Sequence, residues 1–339
     1  MIITIKKSAD EQSTKKLQNY LFKNGYLIDM IRGNNMKIMC VIGDTSSLDT
    51  NVVKGFECVE DITKLSEPYR EVSKKVHPQS TVIDVDGVKI GQDQNIVFIA
   101  GPCSIEGEAS SLLIAGESQK YGASIFRGGA YKARTSPYSF QGLKKAALED
   151  LKKVKDTFSM PVITEIVSIN QIKDFMDKVD IIQVGARNMQ NFELLKALGK
   201  IDKPILLKRG LSATLDELLL AAEYILIGGN KNVILCERGI RTFESSTRNT
   251  LDLSAIPYLK SKTHLPVFVD PSHATGNREL VEPMTLAAIA CGADGIMLEV
   301  HNNPKSAWSD SDQAIDLETF KQIVEKSRLV ANAIGRKIN

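Results

Sequence analysis

The sequence has few of the features that mark secreted, membrane-spanning or disulfide-bonded proteins. Its five cysteines in 339 residues are odd in number and irregularly spaced, whereas a disulfide framework needs a denser and even set. We therefore expect a cytoplasmic protein. The longest apolar runs, such as residues 218–227, are too short and too interrupted to span a bilayer. The first residues lack the apolar segment and small-residue cleavage site of a signal peptide.

An excess of charge of one sign is also missing. Lysine and arginine number 43 against 41 aspartates and glutamates, which leaves a formal net charge of +2. Without a basic excess, neither nucleic acid nor an acidic membrane surface is an expected partner. A hydrophobic share of 43% is ordinary for a globular protein, and the length suits one large domain with a smaller one. Any positive charge that matters for function must be local.

Residues 1–66 predict a small domain with a ferredoxin-like βαββαβ order. Its expected elements are a strand over 1–7, a helix over 10–24 ending at Gly25, strands over 26–32 and 36–43 joined by a hairpin through Gly33, Asn34 and Asn35, a helix over 47–54 and a strand over 56–60. No catalytic motif occurs in this segment. It is either a packing or oligomerisation module or, the interpretation we favour, a ligand-sensing regulatory module.

Residues 67–94 read as a linker with a small hairpin through Asp86 and Gly87. Short apolar runs then recur over residues 95–339, each followed by a stretch of helical length. The eight runs are IVFIAG, SIFRG, PVITE, IIQVG, PILLK, NVILCE, PVFVD and GIMLEV. This alternation predicts the α/β class, specifically a (β/α)₈ TIM barrel. A doubly wound open sheet is the alternative, but no GxGxxG follows the first run.

Ionisable residues stand at the ends of all eight predicted strands, where the active sites of such barrels lie. Six of them are basic: Arg127, Lys132, Arg134, Arg187, Lys208 and Arg238. So many cations at one mouth repel one another unless an anion compensates them, and arginine suits phosphate and carboxylate. We therefore expect substrates that carry these groups. Alternatively, acids such as Glu165 and Glu237 neutralise some of the cations.

A second set combines a thiol, an imidazole and carboxylates: Cys103, His273, Glu299 and Asp310. Together such groups can hold a divalent transition metal ion such as Mn²⁺, Fe²⁺, Co²⁺ or Zn²⁺. No pair has the spacing of a local metal motif, so only the barrel topology would bring these residues together. His301 is an alternative to His273.

Seven ordered motifs over the predicted barrel carry a specific resemblance. They are GPCS, FRGGAYKARTSP, QVGARNMQN, LLKRG, CERGIRTFE, DPSHATG and EVHNNP. This series resembles the 3-deoxy-D-arabino-heptulosonate 7-phosphate (DAHP) synthases, in particular the Iβ subgroup with an N-terminal ferredoxin-like domain. The resemblance implies a metal-dependent condensation of phosphoenolpyruvate with erythrose 4-phosphate, the first step of the shikimate pathway to aromatic amino acids.

The resemblance also implies a role for each candidate residue. The implied metal ligands are Cys103, His273, Glu299 and Asp310, with Asp312 as a nearby alternative to the last. The implied phosphoenolpyruvate contacts are Arg127, Lys132, Arg187, Lys208 and Arg238, with Glu165 positioning a water. Arg134 and Thr135 are implied at the aldose phosphate, and Ala186 and Asp270 are further expected substrate-binding residues. Lys132, Cys103 and His273 are the expected catalytic residues, with Lys132 assisting proton transfer. The family further implies a homotetramer and an aromatic amino acid effector, tyrosine or phenylalanine.

One motif departs from the family, whose usual KPRTS reads KARTS at residues 132–136. Ala133 is shared with the 3-deoxy-D-manno-octulosonate 8-phosphate synthases, which use arabinose 5-phosphate. Arg134, Thr135 and the RGIRTFE motif favour the four-carbon aldose. Two other classes of function stay open: a Schiff-base aldolase using Lys132 or Lys208, and a catalytically inactive sugar-phosphate sensor.

Overall fold

The computed structural model describes residues 1–32, 37–43, 45, 47–63, 67–134 and 136–338. They form two compact units, Met1–Pro78 and Gln79–Asn339. The turn predicted at residues 33–35 and the candidate Thr135 lie outside the described residues. Within the described part of the chain, no helix is long and apolar enough to cross a membrane.

The first unit has the predicted ferredoxin-like fold. Its elements are β1 (Ile2–Ile5), α1 (Glu11–Lys23), β2 (Leu27–Arg32), β3 (Lys37–Ile42), α2 (Thr50–Lys54) and β4 (Val59–Thr63). The strands form an antiparallel sheet in the order β2-β3-β1-β4. The last strand begins at Val59 rather than Phe56, because the amides of Gly55 and Phe56 bond back to carbonyls of α2 and form a turn first.

Alternating apolar residues explain how this sheet packs. Ile3 and Ile5 share one buried cluster with Leu17 and Leu21 of α1, as the period of two on a strand requires. Ile2, Ile38 and Cys40 form a second cluster with Val76. Residues up to Pro78 therefore belong to the first compact unit. The boundaries at residues 66 and 94 stay sequence predictions.

The second unit is the predicted (β/α)₈ barrel. Its strands are β7 (Val97–Gly101), β8 (Ile125–Arg127), β9 (Val162–Ile166), β10 (Ile181–Val184), β11 (Ile205–Lys208), β12 (Val233–Glu237), β13 (Val267–Val269) and β14 (Gly295–Glu299). All are parallel, and β14 pairs with β7 to close the barrel. The eight apolar runs of the sequence correspond to these eight strands.

Helices follow the strands around the barrel. They are α3 (Glu108–Lys120), α4 (Lys145–Phe158), α5 (Ile172–Met176), α6 (Phe192–Leu198), α7 (Leu215–Ile227), α8 (Ala255–Lys262), α9 (Pro271–Thr275), α10 (Arg278–Ala290) and α11 (Leu317–Ala333). Short 3₁₀ turns occur at Ile169–Gln171, Ala186–Asn188 and Pro304–Ser306. The helix α9 is short and lies directly after β13, so it carries residues 271–275 at the mouth of the barrel.

A hairpin precedes the barrel strands and closes one end of them. Strands β5 (Ile83–Val85) and β6 (Val88–Ile90) pair around Asp86 and Gly87, and both turn residues have positive φ, as a tight two-residue hairpin requires. Apolar side chains of this hairpin share a cluster with Val97, Ile125 and Ile181 at the beginnings of strands. Only the carboxyl ends of the strands are left to form an open site.

Candidate active site

The carboxyl ends of the barrel strands surround a polar cavity of about 440 Å³. Ten of the predicted site residues line it: Arg127, Lys132, Arg134, Glu165, Ala186, Arg187, Lys208, Arg238, His273 and Asp310. Three others, Cys103, Asp270 and Glu299, are buried and contact residues of this lining. Residues from eight separate strand ends therefore meet at one place, as the barrel topology predicts.

Several of the cations have an acidic neighbour, although not the acids expected from the sequence. The Arg127 guanidinium lies 3.1 Å from Glu299, and Lys208 is paired with Asp270. Glu237 instead pairs with Arg209, 2.8 Å away, outside the predicted cationic set. Acidic residues therefore neutralise some of the cations, as the alternative interpretation expected, but the carboxylates are those of Glu299 and Asp270 and not those of Glu165 and Glu237.

The cavity contains more cations than the six expected. Arg241 and Arg248 also line it, and both follow β12 in the CERGIRTFE segment and its continuation. The side chain of Arg238 is buried and donates to the carbonyl of His273 at 3.0 Å. Burial lowers the pKa of Arg238, which is the expected penalty for charge taken out of water. An anion in the cavity would offset that penalty.

The four predicted metal ligands form one group. One ligand atom from each of Cys103, His273, Glu299 and Asp310 lies within 4.8 Å of all the others. The thiol of Cys103 donates to Asp310 Oδ2 at 2.9 Å, and His273 Nε2 lies 3.1 Å from Glu299 Oε1. His301 and Asp312, which the sequence offers as alternative ligands, are not part of this group. His301 Nε2 is bonded to Glu106, and Asp312 instead accepts from Arg278 through its backbone carbonyl.

The protonation of His273 shows why this group suits a cation. Its Nδ1 lies 2.7 Å from Asp270 Oδ2, so the hydrogen-bond geometry assigns the proton of the neutral ring to Nδ1. Nε2 faces Glu299 Oε1 at 3.1 Å, where either a proton on Nε2 or a bound metal ion would supply the positive charge that attracts this carboxylate. A histidine whose other nitrogen is bonded to a carboxylate is the usual form of a metal-binding imidazole.

The acids of the group are ionised and the thiol is not. Burial alone would raise the pKa of Glu299, but His273 and Arg127 hold it well below its usual value. Likewise burial opposes ionisation of Asp270, yet His273 and Lys208 hold its pKa well below normal. For Cys103, burial and the charge of Glu299 raise the pKa to about 12. A metal ion bound here would displace the thiol proton, and the mixed sulfur, nitrogen and oxygen donors suit a divalent transition metal.

Lys132 and Glu165 both line a second, small cavity next to this group. Lys132 Nζ donates to Cys103 Sγ at 2.9 Å and to the Cys103 carbonyl at 3.0 Å. The cavity measures about 10 Å³ and is also lined by Gln183, so it has roughly the room that one water molecule needs. A Cβ at Gly185 would lie 2.0 Å from Glu165 Oε1, so the carboxylate can occupy this place only because residue 185 is glycine.

Sequence reasoning missed several residues that hold the site together. Gln313 donates to Glu299 Oε2 at 2.6 Å and accepts from Arg248 at 2.7 Å. Ser309 contacts Cys103 Sγ at 3.1 Å, and Gln183 donates to Glu165 at 3.4 Å. Gln183 belongs to the QVGARNMQN motif, which is a signal that could have singled it out. Gln313 and Ser309 lie in a loop after β14 with no local pattern, so only the tertiary structure reveals their contacts.

Comparisons with known proteins agree with this architecture. The family model described as DAHP synthetase I family matches residues 71–332, and the model described as DAHP synthase ferredoxin-like domain matches residues 1–67. A phospho-2-dehydro-3-deoxyheptonate aldolase of Thermotoga maritima is 44% identical over 339 residues, 100% of both chains. A 2-dehydro-3-deoxyphosphooctonate aldolase of Geobacter sulfurreducens is 34% identical over 266 residues, covering 73% of this chain and 97% of its own length.

Solved structures give the same relationship. The crystal structure of the phospho-2-dehydro-3-deoxyheptonate aldolase (DAHP synthase) from Thermotoga maritima superposes with a TM-score of 0.80 at 44% identity, covering 100% of this chain and 99% of that one. A truncated form of 3-deoxy-D-arabino-heptulosonate 7-phosphate synthase from the same organism covers 79% of this chain and 98% of its own, with a TM-score of 0.74 at 47% identity. Both parts of the chain have a matching family model, and the chain belongs to the DAHP synthetase I family.

Proposed function

We propose that this chain condenses phosphoenolpyruvate with D-erythrose 4-phosphate and water to give 3-deoxy-D-arabino-heptulosonate 7-phosphate and phosphate. The observation that carries the proposal is a strongly cationic cavity that opens onto a thiol, an imidazole and two carboxylates. Two phosphorylated substrates supply the negative charge that the cavity lacks. The full-length similarity to an aldolase of this name supports the same activity.

In this proposal phosphoenolpyruvate occupies the deeper part of the cavity. Its phosphate and carboxylate contact the cations contributed by Arg127, Lys132, Arg187, Lys208 and Arg238, near Ala186 and Asp270. Arg127 and Lys208 are both buried and each is fixed by a carboxylate, so their positions are set before substrate binds. Such preorganised charge is what orients a substrate for attack. Carbon C3 of phosphoenolpyruvate then faces the second substrate.

The aldose phosphate is proposed to bind at Arg134 and Thr135, nearer the opening. Arg134 lies 3.4 Å from Asp310 and also contacts Ser309, so this end of the cavity adjoins the group of four donors. The aldehyde of a four-carbon sugar held by its phosphate would thus lie beside that group. Carbon C3 of phosphoenolpyruvate attacks the aldehyde carbon, and a new C–C bond forms.

Cys103, His273, Glu299 and Asp310 are proposed to hold a divalent transition metal ion, Mn²⁺, Fe²⁺, Co²⁺ or Zn²⁺. When bound, such an ion supplies Lewis-acid stabilisation to the aldehyde oxygen. Lys132, adjacent to Cys103, would give a proton to the alkoxide that forms. Glu165 and the small cavity beside it would hold the water that adds to C2, after which the C2–O bond breaks and phosphate leaves.

The Schiff-base alternative conflicts with the surroundings of both candidate lysines. Burial would lower the pKa of Lys132, but its hydrogen bond to Cys103 and the charge of Glu299 raise that pKa. Lys208 is held in an ion pair with Asp270. A Schiff base needs a neutral amine, and neither environment favours one. We expect borohydride to trap no adduct between substrate and lysine.

The first unit is proposed to be the regulatory part, with tyrosine or phenylalanine as the effector, in a homotetrameric enzyme. Its match to the DAHP synthase ferredoxin-like domain supports this assignment. The described residues of the unit hold no group like the four donors of the barrel. Binding of the effector would lower the rate of the condensation.

Two measurements test the proposed function. Exhaustive chelation should abolish turnover and one of the four metal ions should restore it; full activity in the stripped enzyme would refute the metal dependence. Erythrose 4-phosphate and arabinose 5-phosphate, offered in parallel, should give chiefly the seven-carbon product. Preferential formation of the eight-carbon product would instead support a 3-deoxy-D-manno-octulosonate 8-phosphate synthase, and no condensation with either sugar would support a sensor.

A further inference from the structure

We propose that Glu106 is a positioning residue that sets the spacing of three of the four metal donors. This inference rests on the metal site of the proposed function. Glu106 belongs to neither the cationic cavity nor the donor group. Its carboxylate instead connects the three chain segments that carry Cys103, Glu299 and Asp310.

The residues that Glu106 contacts lie close in sequence to the candidate metal ligands. It lies three residues after Cys103, in the turn between β7 and α3, and its side chain is 9% exposed. Oε1 accepts from the backbone amide of Trp308 at 2.7 Å, two residues before Asp310. Oε2 lies 3.1 Å from His301 Nε2, two residues after Glu299. One carboxylate therefore joins all three segments.

The hydrogen bonds of His301 determine its role. Its Nδ1 accepts from the backbone amide of Asn303 at 3.0 Å, so the geometry assigns the ring proton to Nε2, which donates to Glu106. The ring is 4% exposed, and the backbone amide bonds to the carbonyl of Ile315 at 2.9 Å. Both ring nitrogens form hydrogen bonds within the protein, so His301 fixes the end of β14 to Glu106 and is not itself a metal ligand.

Asp310 needs such an anchor because its own conformation is unfavourable. Its φ of 53° lies in the left-handed region, which few residues other than glycine adopt. Two arginines also attract its carboxylate: Arg134 at 3.4 Å and Arg248 at 3.6 Å. If the amide of Trp308 were released from Glu106, the loop could relax, and the carboxylate of Asp310 would lose its fixed position beside Cys103.

The fourth donor is positioned separately. Asp270 accepts from the backbone amide of His273 at 3.0 Å and contacts its Nδ1 at 2.7 Å. Loss of Glu106 should therefore leave His273 in place and disturb the other three donors. Substitution of such outer residues typically weakens metal binding on the order of 10–100-fold.

Manganese binding to chelator-stripped full-length protein tests this inference. The variant Glu106→Gln keeps the size of the side chain but replaces one of the two acceptor oxygens by an NH₂ group, so the side chain can no longer accept from Trp308 at one position and from His301 at the other. We expect it to bind Mn²⁺ about 10–100-fold more weakly than the wild-type chain, and to regain most of its turnover at saturating Mn²⁺. Asp180→Asn is the matched control. Asp180 is buried and, like Glu106, accepts from a backbone amide, that of Val162 at 2.9 Å, and it pairs with Lys155, but it lies at the opposite ends of the strands.

The control separates positioning from general loosening of the fold. Both variants should melt at a lower temperature than the wild type, whereas only Glu106→Gln should lose affinity for Mn²⁺. Wild-type affinity in Glu106→Gln, or an equal loss in Asp180→Asn, would overturn the role of Glu106. If Glu106→Gln does not fold, His301→Phe removes one of the two contacts, and wild-type affinity in that variant would overturn the proposal too. A wild-type chain that binds no Mn²⁺, Fe²⁺, Co²⁺ or Zn²⁺ would instead refute the metal site itself.

Discussion

Cys103 is a thiol in a place where water cannot stabilise its ionised form. It is 4% exposed, and Lys132 donates to its sulfur at 2.9 Å. Burial nevertheless raises its pKa to about 12, so the metal-free thiol is protonated at neutral pH. A thiolate ligand can then form only when a metal ion takes the place of the proton, and protons and metal compete for this sulfur.

Cys103→Ser tests this competition. In the wild type, metal affinity should rise about tenfold for each pH unit between pH 7 and 9, because one thiol proton is released on binding and the raised pKa keeps that proton bound below it. The serine variant should lose at least the 10–100-fold in affinity that is typical of outer residues, and its affinity should depend less on pH. Competition titrations with Co²⁺ at several pH values measure both quantities.

Cys291→Ser is the control for that titration, because Cys291 follows α10 and is partly exposed. It should keep the affinity and the pH slope of the wild type. A Cys103→Ser variant with an unchanged slope would show that the sulfur is not a ligand.

At the scale of the elements, the end of β10 shows how strand geometry places the carboxylate of Glu165. Gln183 lies on β10 and donates to Glu165 of the neighbouring β9, its register partner in the parallel sheet. Gly185 follows directly and leaves the space that the carboxylate fills. Its φ of −67° is open to any residue, so the requirement for glycine is purely steric.

Gly185→Ala should therefore lower turnover without an effect on backbone strain. The new Cβ would lie 2.0 Å from Glu165 Oε1, and displacement of a reacting group by about 1 Å can cost on the order of 100-fold in rate. We expect a fall of roughly 10–100-fold in kcat with unchanged metal affinity. Steady-state kinetics and a metal titration are the measurements.

The double variant Glu165→Ala with Gly185→Ala provides the control. Once the carboxylate is absent, the added methyl group has nothing to displace, so the double variant should be as active as Glu165→Ala alone. A further loss in the double variant, or wild-type turnover in Gly185→Ala, would contradict the steric explanation.

At the scale of the whole molecule, the chain divides into a sheet unit and a barrel unit with separate apolar clusters. Val76 packs with Ile2, Ile38 and Cys40 in the first unit, and the hairpin residues Ile83 and Ile90 pack inside the barrel. Deletion of residues 1–65 would remove the residues against which Val76 packs, whereas deletion of residues 1–78 removes one compact unit entirely.

A chain of residues 79–339 should accordingly fold and catalyse the condensation, because all the described donors and cavity residues belong to the barrel unit. We expect tyrosine and phenylalanine to have no effect on it, while one of them inhibits the full-length enzyme. Turnover measured with and without each amino acid decides this. Equal inhibition of both chains would place the effector site in the barrel and refute the regulatory role of the first unit.

Much of the fold was predictable because its signals are local. Eight apolar runs separated by helical stretches predict eight parallel strands, and alternation in residues 1–7 predicts β1. The prediction placed the start of β4 three residues too early, because the turn at Gly55 and Phe56 depends on bonds to α2. The grouping of Cys103, His273, Glu299 and Asp310 was predictable only because chemistry in a barrel gathers at the strand ends.

The amino-acid sequence by itself determined the barrel, the small ferredoxin-like unit, the cationic character of the mouth and the set of candidate donors. Only the tertiary structure decided which groups pair: Lys208 with Asp270, Arg127 with Glu299, and Glu106 with both His301 and Trp308. The physical reason is that these pairs join residues that are far apart in the chain. Periodicity and strand-end position are properties of neighbouring residues, whereas Glu106 and His301 are 195 residues apart in the chain and meet only after the barrel has closed.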